Sequence, residues 1–290
     1  MKTYLDCYPC FIRQALAAAR LAKADEAQQK AVLDRVLDLL KHIDLASTPP
    51  EIGDRVHRIV RQEVESDDPY RAVKEASTRR ALALYPRLKA LLAKADDPLE
   101  MAVRLSIAGN IIDFGPAQEY DLWGTVKRVL AQPFAIDDRS AFLEALDRMD
   151  QGVETTPVLY LADNAGETVF DRLLIETLPV PVTYAVKGGP VLNDATRQDA
   201  EAAGLNQAAT IVDNGASAMG TILNRCSDDF CRLYNEAEMV IAKGQANYET
   251  LSDEGPKVFF LLQVKCPIIA RDVGVPVGSI VLRQGVRRDD

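Results

Sequence analysis

The hydrophobic pattern of this chain changes its period near residue 153, and that change constrains the fold more than any other feature. From about residue 8 to 150, apolar residues recur at helical spacing, as at Val32, Val36 and Leu40. After residue 153, short β-branched runs alternate with helix-like stretches, and the predicted strands are 157–162, 181–186, 210–212, 238–242, 258–263 and 279–282. Such repetition is typical of a mostly parallel sheet flanked by helices. We predict an α/β fold with an all-helical domain at 1–152 and an α/β domain at 153–290.

Charge and length exclude several classes of protein. With 290 residues and a formal net charge of -9, the chain would repel the phosphate backbone of nucleic acids. No apolar stretch approaches the roughly 18 to 20 residues of a membrane span, and the first residues do not resemble a secretory signal. We therefore expect a cytoplasmic protein without nucleic-acid or membrane partners. The five cysteines are then expected to be free thiols or metal ligands, and His42 and His57 to be structural.

Polar residues follow four of the predicted strands at their carboxyl ends. In an open parallel sheet these ends border the binding crevice, so the four loops are expected to converge. Each loop also has a structural explanation, because Asp, Asn and Gly form turns and helix caps, and Asn164 with Glu167 resembles a capping box. The polar residues are Asp163, Asn164 and Glu167 after the first strand, Asn193 and Asp194 after the second, Asp213 after the third, and Lys243, Gly244 and Asn247 after the fourth.

The chemistry of these residues favours a site for a divalent cation and a phosphate. Carboxylate and carboxamide oxygens suit a hard cation such as magnesium or manganese, which would activate a water molecule. Lys243 and the backbone N–H of Gly244 are candidates for holding a phosphate, with Asn247 as a further donor. Asp213 and Glu167 are candidates for orienting or deprotonating the water. The sequence leaves open which acid is the base.

Two further clusters are open to a structural or a functional interpretation. Asn110 and Asp113 lie three residues apart and would share one helical face, either at a helix end or in the site. Cys7 and Cys10 have the spacing of metal ligands, but no second pair follows. Cys266 is a third candidate ligand if the chain returns to the amino terminus, which leaves a structural zinc one ligand short unless Cys226, Cys231 or water supplies it. The thiols are otherwise inert or redox-active.

Several motifs occur in order along the chain: Ala108-Gly-Asn-Ile-Ile-Asp-Phe-Gly115, Asp163-Asn-Ala-Gly-Glu167, Lys187-Gly-Gly-Pro-Val-Leu-Asn-Asp194, Asp213-Asn-Gly215 and Lys243-Gly-Gln-Ala-Asn-Tyr-Glu249. Together they resemble the damage-control phosphatase family, formerly domain of unknown function eighty-nine. Cys7-x-x-Cys10 combined with Lys265-Cys266 is similar to its mainly prokaryotic branch. The resemblance covers nearly the whole chain.

The resemblance implies a Rossmann-like α/β domain carrying a helical amino-terminal region. It also implies metal-dependent hydrolysis of phosphate esters, often of damaged or surplus phosphometabolites, with magnesium, manganese, cobalt or nickel as the cation. A small phosphorylated metabolite is therefore the expected partner. By matching positions, the resemblance carries metal ligation onto Asp163, Asn164 and Asp194, phosphate contact onto Lys243, and a place in the site onto Asn193 and Asp213.

Two other functions are compatible with an α/β domain. One is an S-adenosylmethionine-dependent carboxyl methyltransferase, but no glycine-rich turn follows the first strand, whose loop carries Asp163 and Asn164 instead. The other is a non-catalytic module that binds a metal or a metabolite. Turnover of phosphate esters would separate a phosphatase from both.

Overall fold

A computed structural model describes residues 1–111, 122–152 and 156–287. Within these ranges, the strands are β1 (Phe134–Asp137), β2 (Val158–Leu161), β3 (Val182–Val186), β4 (Thr210–Asp213), β5 (Val240–Lys243), β6 (Val258–Gln263) and β7 (Ile280–Gln284). The helices are α1 (Tyr8–Leu21), α2 (Glu26–Leu40), α3 (Pro49–Val64), α4 (Arg71–Leu92), α5 (Pro98–Ile111), α6 (Leu122–Ala131), α7 (Arg139–Asp150), α8 (Thr168–Ile175), α9 (Arg197–Ala202), α10 (Asp228–Glu236), α11 (Gly244–Leu251) and α12 (Pro267–Val273). None of these helices combines the length and the apolarity needed to cross a membrane.

The strands form one sheet in the order β1-β7-β6-β5-β2-β3-β4. Neighbouring strands are parallel except β6 and β7, which are antiparallel. The chain runs outward from β2 to β3 and β4, and β5 then lies on the other side of β2. The strand order therefore reverses between β2 and β5, which is where open α/β sheets bind their ligands.

Alternate residues of the central strands enter two different cores, as the two-residue period of a strand requires. Val158 and Tyr160 of β2 pack into the core that includes α4–α8, whereas Leu159 and Leu161 pack into the core that includes α10–α12. All four side chains are buried, because helices cover both faces of the sheet.

Helices α1–α3 have a core of their own, to which Phe11, Val36 and Val56 contribute. Helix α3 begins directly after Thr48, which forms a capping box with Glu51. Contacts between α3 and α11 bring this helical unit to the carboxyl edge of the sheet, next to the reversal of strand order.

The α/β class, the mostly parallel sheet and the helical amino-terminal region are confirmed, and each of the six predicted strands is present. The prediction of helices throughout about 8 to 150 was wrong at β1, which forms an edge of the sheet. Packing crosses residue 152, because α4–α7 share a core with strands that follow it. The division into domains at 1–152 and 153–290 stays a prediction.

Candidate active site

Two loops meet at the carboxyl edge of the sheet, beside the reversal of strand order. The loop after β2 carries Asp163 and Asn164, and the loop after β3 carries Asp194. A β-bridge joins Asn164 to Asp194, and the N–H of Ala195 donates to the carbonyl of Asp163 over 2.8 Å. The three residues predicted to bind a metal are therefore neighbours, and they line one cavity of about 610 Å³.

Several oxygen atoms in these loops lack hydrogen-bond donors. Asn110 and Asn164 each donate through Nδ2 to Asp163 Oδ2, over 2.8 and 3.0 Å. This arrangement leaves Asp163 Oδ1 and Asn164 Oδ1 without a donor from the described part of the chain. Asp194 Oδ2 is buried and also receives no hydrogen bond from a described residue, although Lys187 Nζ lies 3.6 Å away. A buried carboxylate oxygen without a hydrogen bond is costly, and Lys187 offsets this cost only in part, because the pKa of Asp194 is still raised to about 6.

Negative charge accumulates at this edge of the sheet. Burial raises the pKa of Asp163 well above its usual range, and the charges of Glu167 and Asp194 raise it further. Burial also raises the pKa of Asp194 to about 6, although the ammonium of Lys187 counteracts the rise. A bound divalent cation would favour the ionised form of both carboxyl groups.

The set of oxygens fits a hard divalent cation. Two carboxylates and one carboxamide can bind such an ion, and water completes its coordination shell. Across residues 1–111, 122–152 and 156–287, no three His, Cys, Asp or Glu side chains form a group that could hold a metal by themselves. A cation would therefore depend on Asn164 and on water as well as on Asp163 and Asp194. The roles of these three residues as metal ligands stay predictions.

Lys243 lies beneath this cavity and not in it. Its side chain is 0% exposed, and Nζ donates to the carbonyl of Ser106 at 2.9 Å, to Glu167 Oε2 at 3.3 Å and to Asp171 Oδ1 at 2.6 Å. An ammonium group has three hydrogens, so all of them are used. Burial alone would lower the pKa of Lys243, but the charges of Asp171 and Glu167 raise it above its ordinary value. The predicted contact of Lys243 with phosphate does not fit this geometry, and its charge instead balances buried carboxylates.

Asp171, in the first turn of α8, belongs to the same network and was missed in the sequence. Its side chain is 0% exposed and accepts hydrogen bonds from Ser106, Tyr160 and Tyr184 over 2.8 to 2.9 Å. The available signal was a carboxylate directly after Phe170, in a short helix whose other residues are apolar except Thr168 and Arg172. A charge in that position requires a buried partner, which is Lys243.

Glu167 orients the asparagines of the site. Its side chain is 1% exposed, and Oε1 accepts from Asn110 Nδ2 at 2.8 Å and from Asn164 Nδ2. The same two Nδ2 groups donate to Asp163 Oδ2, so Glu167 helps to fix the position of the Asp163 carboxylate. Glu167 is not among the described residues that line the cavity. The predicted role in activating water therefore does not fit, and Glu167 is a positioning residue.

Asn247 joins the ends of two central strands. Its side chain is fully buried, and Nδ2 donates to the carbonyls of Ala162 at 3.2 Å and Lys243 at 2.8 Å. Its Oδ1 accepts from the hydroxyl of Thr221 at 2.8 Å. The predicted donation to phosphate does not fit, because both ends of the carboxamide bind protein groups.

Gly244 begins α11 against the carboxylate of Asp163. Its φ is +78°, and a Cβ there would lie 1.9 Å from Asp163 Oδ2. Gly274 is a matched control, since its φ is +82° and no described atom lies within 4 Å of its Cβ position. We expect Gly274→Ala to cost only the backbone strain, about 1–2 kcal/mol. Gly244→Ala should lower the free energy of unfolding by more and also weaken metal binding, as measured by urea denaturation and calorimetry. Equal effects of the two substitutions would contradict the close approach of Asp163.

Asp213, at the end of β4, lies away from this cavity. Its side chain is exposed, its Oδ1 accepts from the N–H of Gly215 at 3.1 Å, and its carboxylate lies 3.8 Å from Arg197. It lines a different cavity, on the other side of Lys187. The predicted role of Asp213 in the site therefore has no support from its position.

Three residues predicted to belong to the site remain to be placed, and two of them, Asn110 and Asn193, line the cavity. Asn110, from α5, is 2% exposed and contacts Asp163 directly. Asn193 lines the cavity, and its carbonyl accepts from the N–H of Ala165 at 2.8 Å. Asp113 lies outside the described residues. Roles for Asn110 and Asn193 in substrate binding stay predictions.

Cys7, Cys10 and Cys266 line the same cavity as the acidic residues. Cys7 immediately precedes α1, Cys10 lies in its first turn, and Cys266 immediately precedes α12. The chain therefore does return to the amino terminus at Cys266. Burial raises the pKa of Cys7 and of Cys10, which favours neutral thiols. A metal-binding or redox role for the three cysteines stays a prediction.

Four residues of the cavity wall had no role assigned from the sequence. Arg13 of α1 and Lys265, which follows β6, are exposed cations that line it. Gln245 and Glu249 line it from α11. In the sequence, each of them lies close to one of the thiols or to Gly244. This closeness indicates a shared cavity only when the fold is known.

The fold and the site define an α/β protein with an acidic, oxygen-rich cavity at the carboxyl edge of its sheet. Sequence comparison makes this class more specific, because the profile of the damage-control phosphatase ARMT1-like domain matches residues 3–281. The chain belongs to this family.

Two known relatives and one crystal structure match this chain over nearly the full length of both chains. A damage-control phosphatase of Pyrococcus horikoshii is 33% identical, with 97% of each chain covered. A damage-control phosphatase of Archaeoglobus fulgidus is also 33% identical, with 98% of this chain and 99% of that protein covered. The crystal structure of a DUF89 family protein from Pyrococcus horikoshii matches with a TM-score of 0.89 at 32% identity, covering 98% of this chain and 99% of that chain. The resemblance inferred from the motifs is thus confirmed.

Proposed function

We propose that this protein is a metal-dependent phosphatase that hydrolyses phosphate monoesters of small metabolites. Membership of the damage-control phosphatase family supports phosphatase chemistry. The observation that carries the metal dependence is the meeting of Asp163, Asn164 and Asp194 at one cavity, where Asp194 Oδ2 is buried with no hydrogen bond from the described residues and with Lys187 Nζ 3.6 Å away. Phosphoryl transfer needs positive charge held in place at such a point.

The three predicted ligands would hold magnesium, manganese, cobalt or nickel. When bound, the cation polarises a phosphoryl oxygen and lowers the pKa of a water molecule. The chain itself keeps the ligand oxygens in place: Asn110 orients Asp163, and Glu167 orients Asn110. Lys243 contacts Glu167 from below. This buried network is the support that metal ligands commonly need from the residues around them.

Two exposed cations replace Lys243 as candidates for contact with the phosphate. Arg13 and Lys265 both line the cavity, whereas the ammonium of Lys243 is buried. Burial raises the pKa of Asp163, and the charge of Lys265 counteracts that rise, so this ammonium acts on the same carboxylate that would bind the metal. A phosphate bridging the cation and these side chains would be held in a fixed orientation.

The size and the wall of the cavity favour a small substrate. Its volume of about 610 Å³ is within the range of about 300–1,000 Å³ that small-ligand sites occupy. Phe11, Pro50 and Met219 form apolar parts of the wall, which exclude water from the reacting phosphate. These features support a metabolite ester as the substrate.

Release of inorganic phosphate tests the proposal. We expect the purified protein to hydrolyse p-nitrophenyl phosphate and some members of a sugar-phosphate panel with added manganese, cobalt, nickel or magnesium. EDTA should stop the reaction, and excess metal should restore it. A parallel assay with S-adenosylmethionine and carboxylate acceptors checks the methyltransferase alternative. Metal binding in a calorimeter without phosphate release from the panel would overturn the phosphatase and favour a non-catalytic binding protein.

A further inference from the structure

Glu249 lies on the same helix that touches the proposed metal site. Helix α11 begins at Gly244, which abuts Asp163 Oδ2, and Gln245 and Glu249 follow on one face of this helix. Both side chains line the cavity that contains Asp163 and Asp194. Glu249 is thus about one helical turn further along α11 than Gln245, on the wall of the same cavity.

The surroundings of Glu249 favour a protonated carboxyl group. Gln245 Nε2 donates to Glu249 Oε1 at 3.2 Å, and the thiols of Cys7 and Cys10 lie near the carboxylate from the start of α1. Burial raises the pKa of Glu249 to about 7, against the hydrogen bond from Gln245 and the charge of the Met1 amino group, which lower it. Near pH 7 this side chain can therefore hold a proton and also release it.

Each of the other described acids near the cavity is a proposed metal ligand, is paired with Lys243 or is exposed to solvent. The described acidic residues that line it are Asp6, Asp163, Asp194 and Glu249. Asp163 and Asp194 are the proposed metal ligands, and Asp6 is exposed to solvent. Glu167 and Asp171 lie below the cavity, where Lys243 contacts both. Among the described residues, Glu249 is the remaining acid that is partly buried and lines the cavity.

We propose that Glu249 is the general acid that protonates the leaving alcohol when a phosphate monoester is hydrolysed in this cavity. This inference rests on the proposed phosphatase function. Water adds to phosphorus, the bond between phosphorus and the ester oxygen breaks with its electron pair moving to that oxygen, and the oxygen takes the proton of Glu249. The products are an alcohol and inorganic phosphate. A proton released from the attacking water, or one from solvent, restores Glu249.

The leaving group decides how much this proton matters. An alkyl alkoxide is a strong base, so its departure depends on protonation, whereas p-nitrophenolate leaves readily without it. Only the protonated form of Glu249 is active as an acid. Turnover of an alkyl phosphate should therefore fall as pH rises through about 7, the pKa of Glu249, while turnover of p-nitrophenyl phosphate lacks this dependence.

Glu249→Gln tests the assignment, because glutamine has nearly the same size as glutamate but carries no acidic proton. Metal binding serves as a second readout. We expect kcat for an alkyl phosphate to fall roughly 100-fold or more, and kcat for p-nitrophenyl phosphate to change less than about 3-fold. The high-pH decline with the alkyl substrate should disappear. Metal affinity measured by calorimetry should stay at the wild-type value. Glu201→Gln is the matched control, because Glu201 is exposed on α9 and should change none of these quantities.

The outcomes separate this inference from the proposed function. Equal losses with both substrates, or no loss with the alkyl phosphate, would overturn Glu249 as the general acid and leave the phosphatase intact. A wild-type protein that hydrolyses no phosphate ester with any metal overturns both. If Glu249→Gln does not fold, the wild-type pH profiles decide: matching profiles for the two substrates refute the proposal, and a high-pH decline confined to the alkyl substrate supports it.

Discussion

Lys243→Met is expected to lower the free energy of unfolding by about 3–5 kcal/mol, because removing one partner of a buried ion pair leaves an uncompensated charge. Lys243 Nζ lies 2.6 Å from Asp171 and 3.3 Å from Glu167, and the three side chains are 0–1% exposed. Methionine has a similar length, so the loss reflects charge more than an empty volume. Urea denaturation of the metal-free protein at pH 7 measures the effect.

Two comparisons isolate the electrostatic cause. Lys265→Met removes an exposed lysine and should change the free energy of unfolding by no more than about 0.5 kcal/mol. Adding Asp171→Asn to Lys243→Met should recover part of the loss, because the double variant has one fewer unpaired carboxylate. A Lys243→Met protein with the urea midpoint of the wild type would contradict the buried ion pair.

The sequence predicted six strands of the sheet because each carries a β-branched or aromatic run, which is mostly buried in every predicted strand except the edge strand β4. Strand β1 escaped detection for a physical reason. It has only four residues, at the edge of the sheet, and its side chains alternate between half-buried and exposed. Four residues are too few to show a clear two-residue period, although Phe134 and Ile136 are apolar, and the place of β1 in the sheet depends on pairing with β7, near the other end of the chain.

The positions of the strand ends predicted that Asp163, Asn164 and Asp194 lie close together, because parallel strands place their carboxyl ends on one edge of the sheet. The direction of a side chain at a strand end is a separate question. Lys243 is two residues after Ile241, which packs into the core that includes α5 and α8. The two-residue period therefore directs Lys243 toward the same face, where Ser106 and Asp171 lie. Because residues two apart on a strand face the same side of the sheet, the position of Lys243 in β5 could have predicted that its side chain is buried.

Strand order could not be read from the sequence, and this limited the prediction for Asp213. It ends β4, the last strand on its side of the sheet, whereas the order reverses between β2 and β5. Asp163 follows β2 directly and Asp194 follows β3, so both reach the reversal point. Asp213 is one strand further out and pairs with Arg197 instead.

Asp194→Asn is expected to weaken metal binding about 100-fold or more, because it replaces a negatively charged carboxylate ligand by a neutral carboxamide. In the wild type, a metal concentration 100 times its Kd should raise the free energy of unfolding by about 2.7 kcal/mol. At the same concentration and a 100-fold higher Kd, the gain falls to about 0.4 kcal/mol. Thermal or urea denaturation with and without metal measures both values, and turnover should be lost together with the metal.

The pH dependence of metal binding distinguishes this role from a general loss of structure. Burial raises the pKa of Asp194 to about 6 and that of Asp163 well above its usual range, so protons compete with the cation. Metal affinity should therefore fall as pH drops through about 6 in the wild type and depend less on pH in Asp194→Asn. Asp213→Asn is the matched control, since this exposed carboxylate also follows a strand of the sheet but lies away from the cavity. If Asp213→Asn lost the metal and Asp194→Asn kept it, the cation would bind at β4, and the buried oxygen of Asp194 would need another explanation.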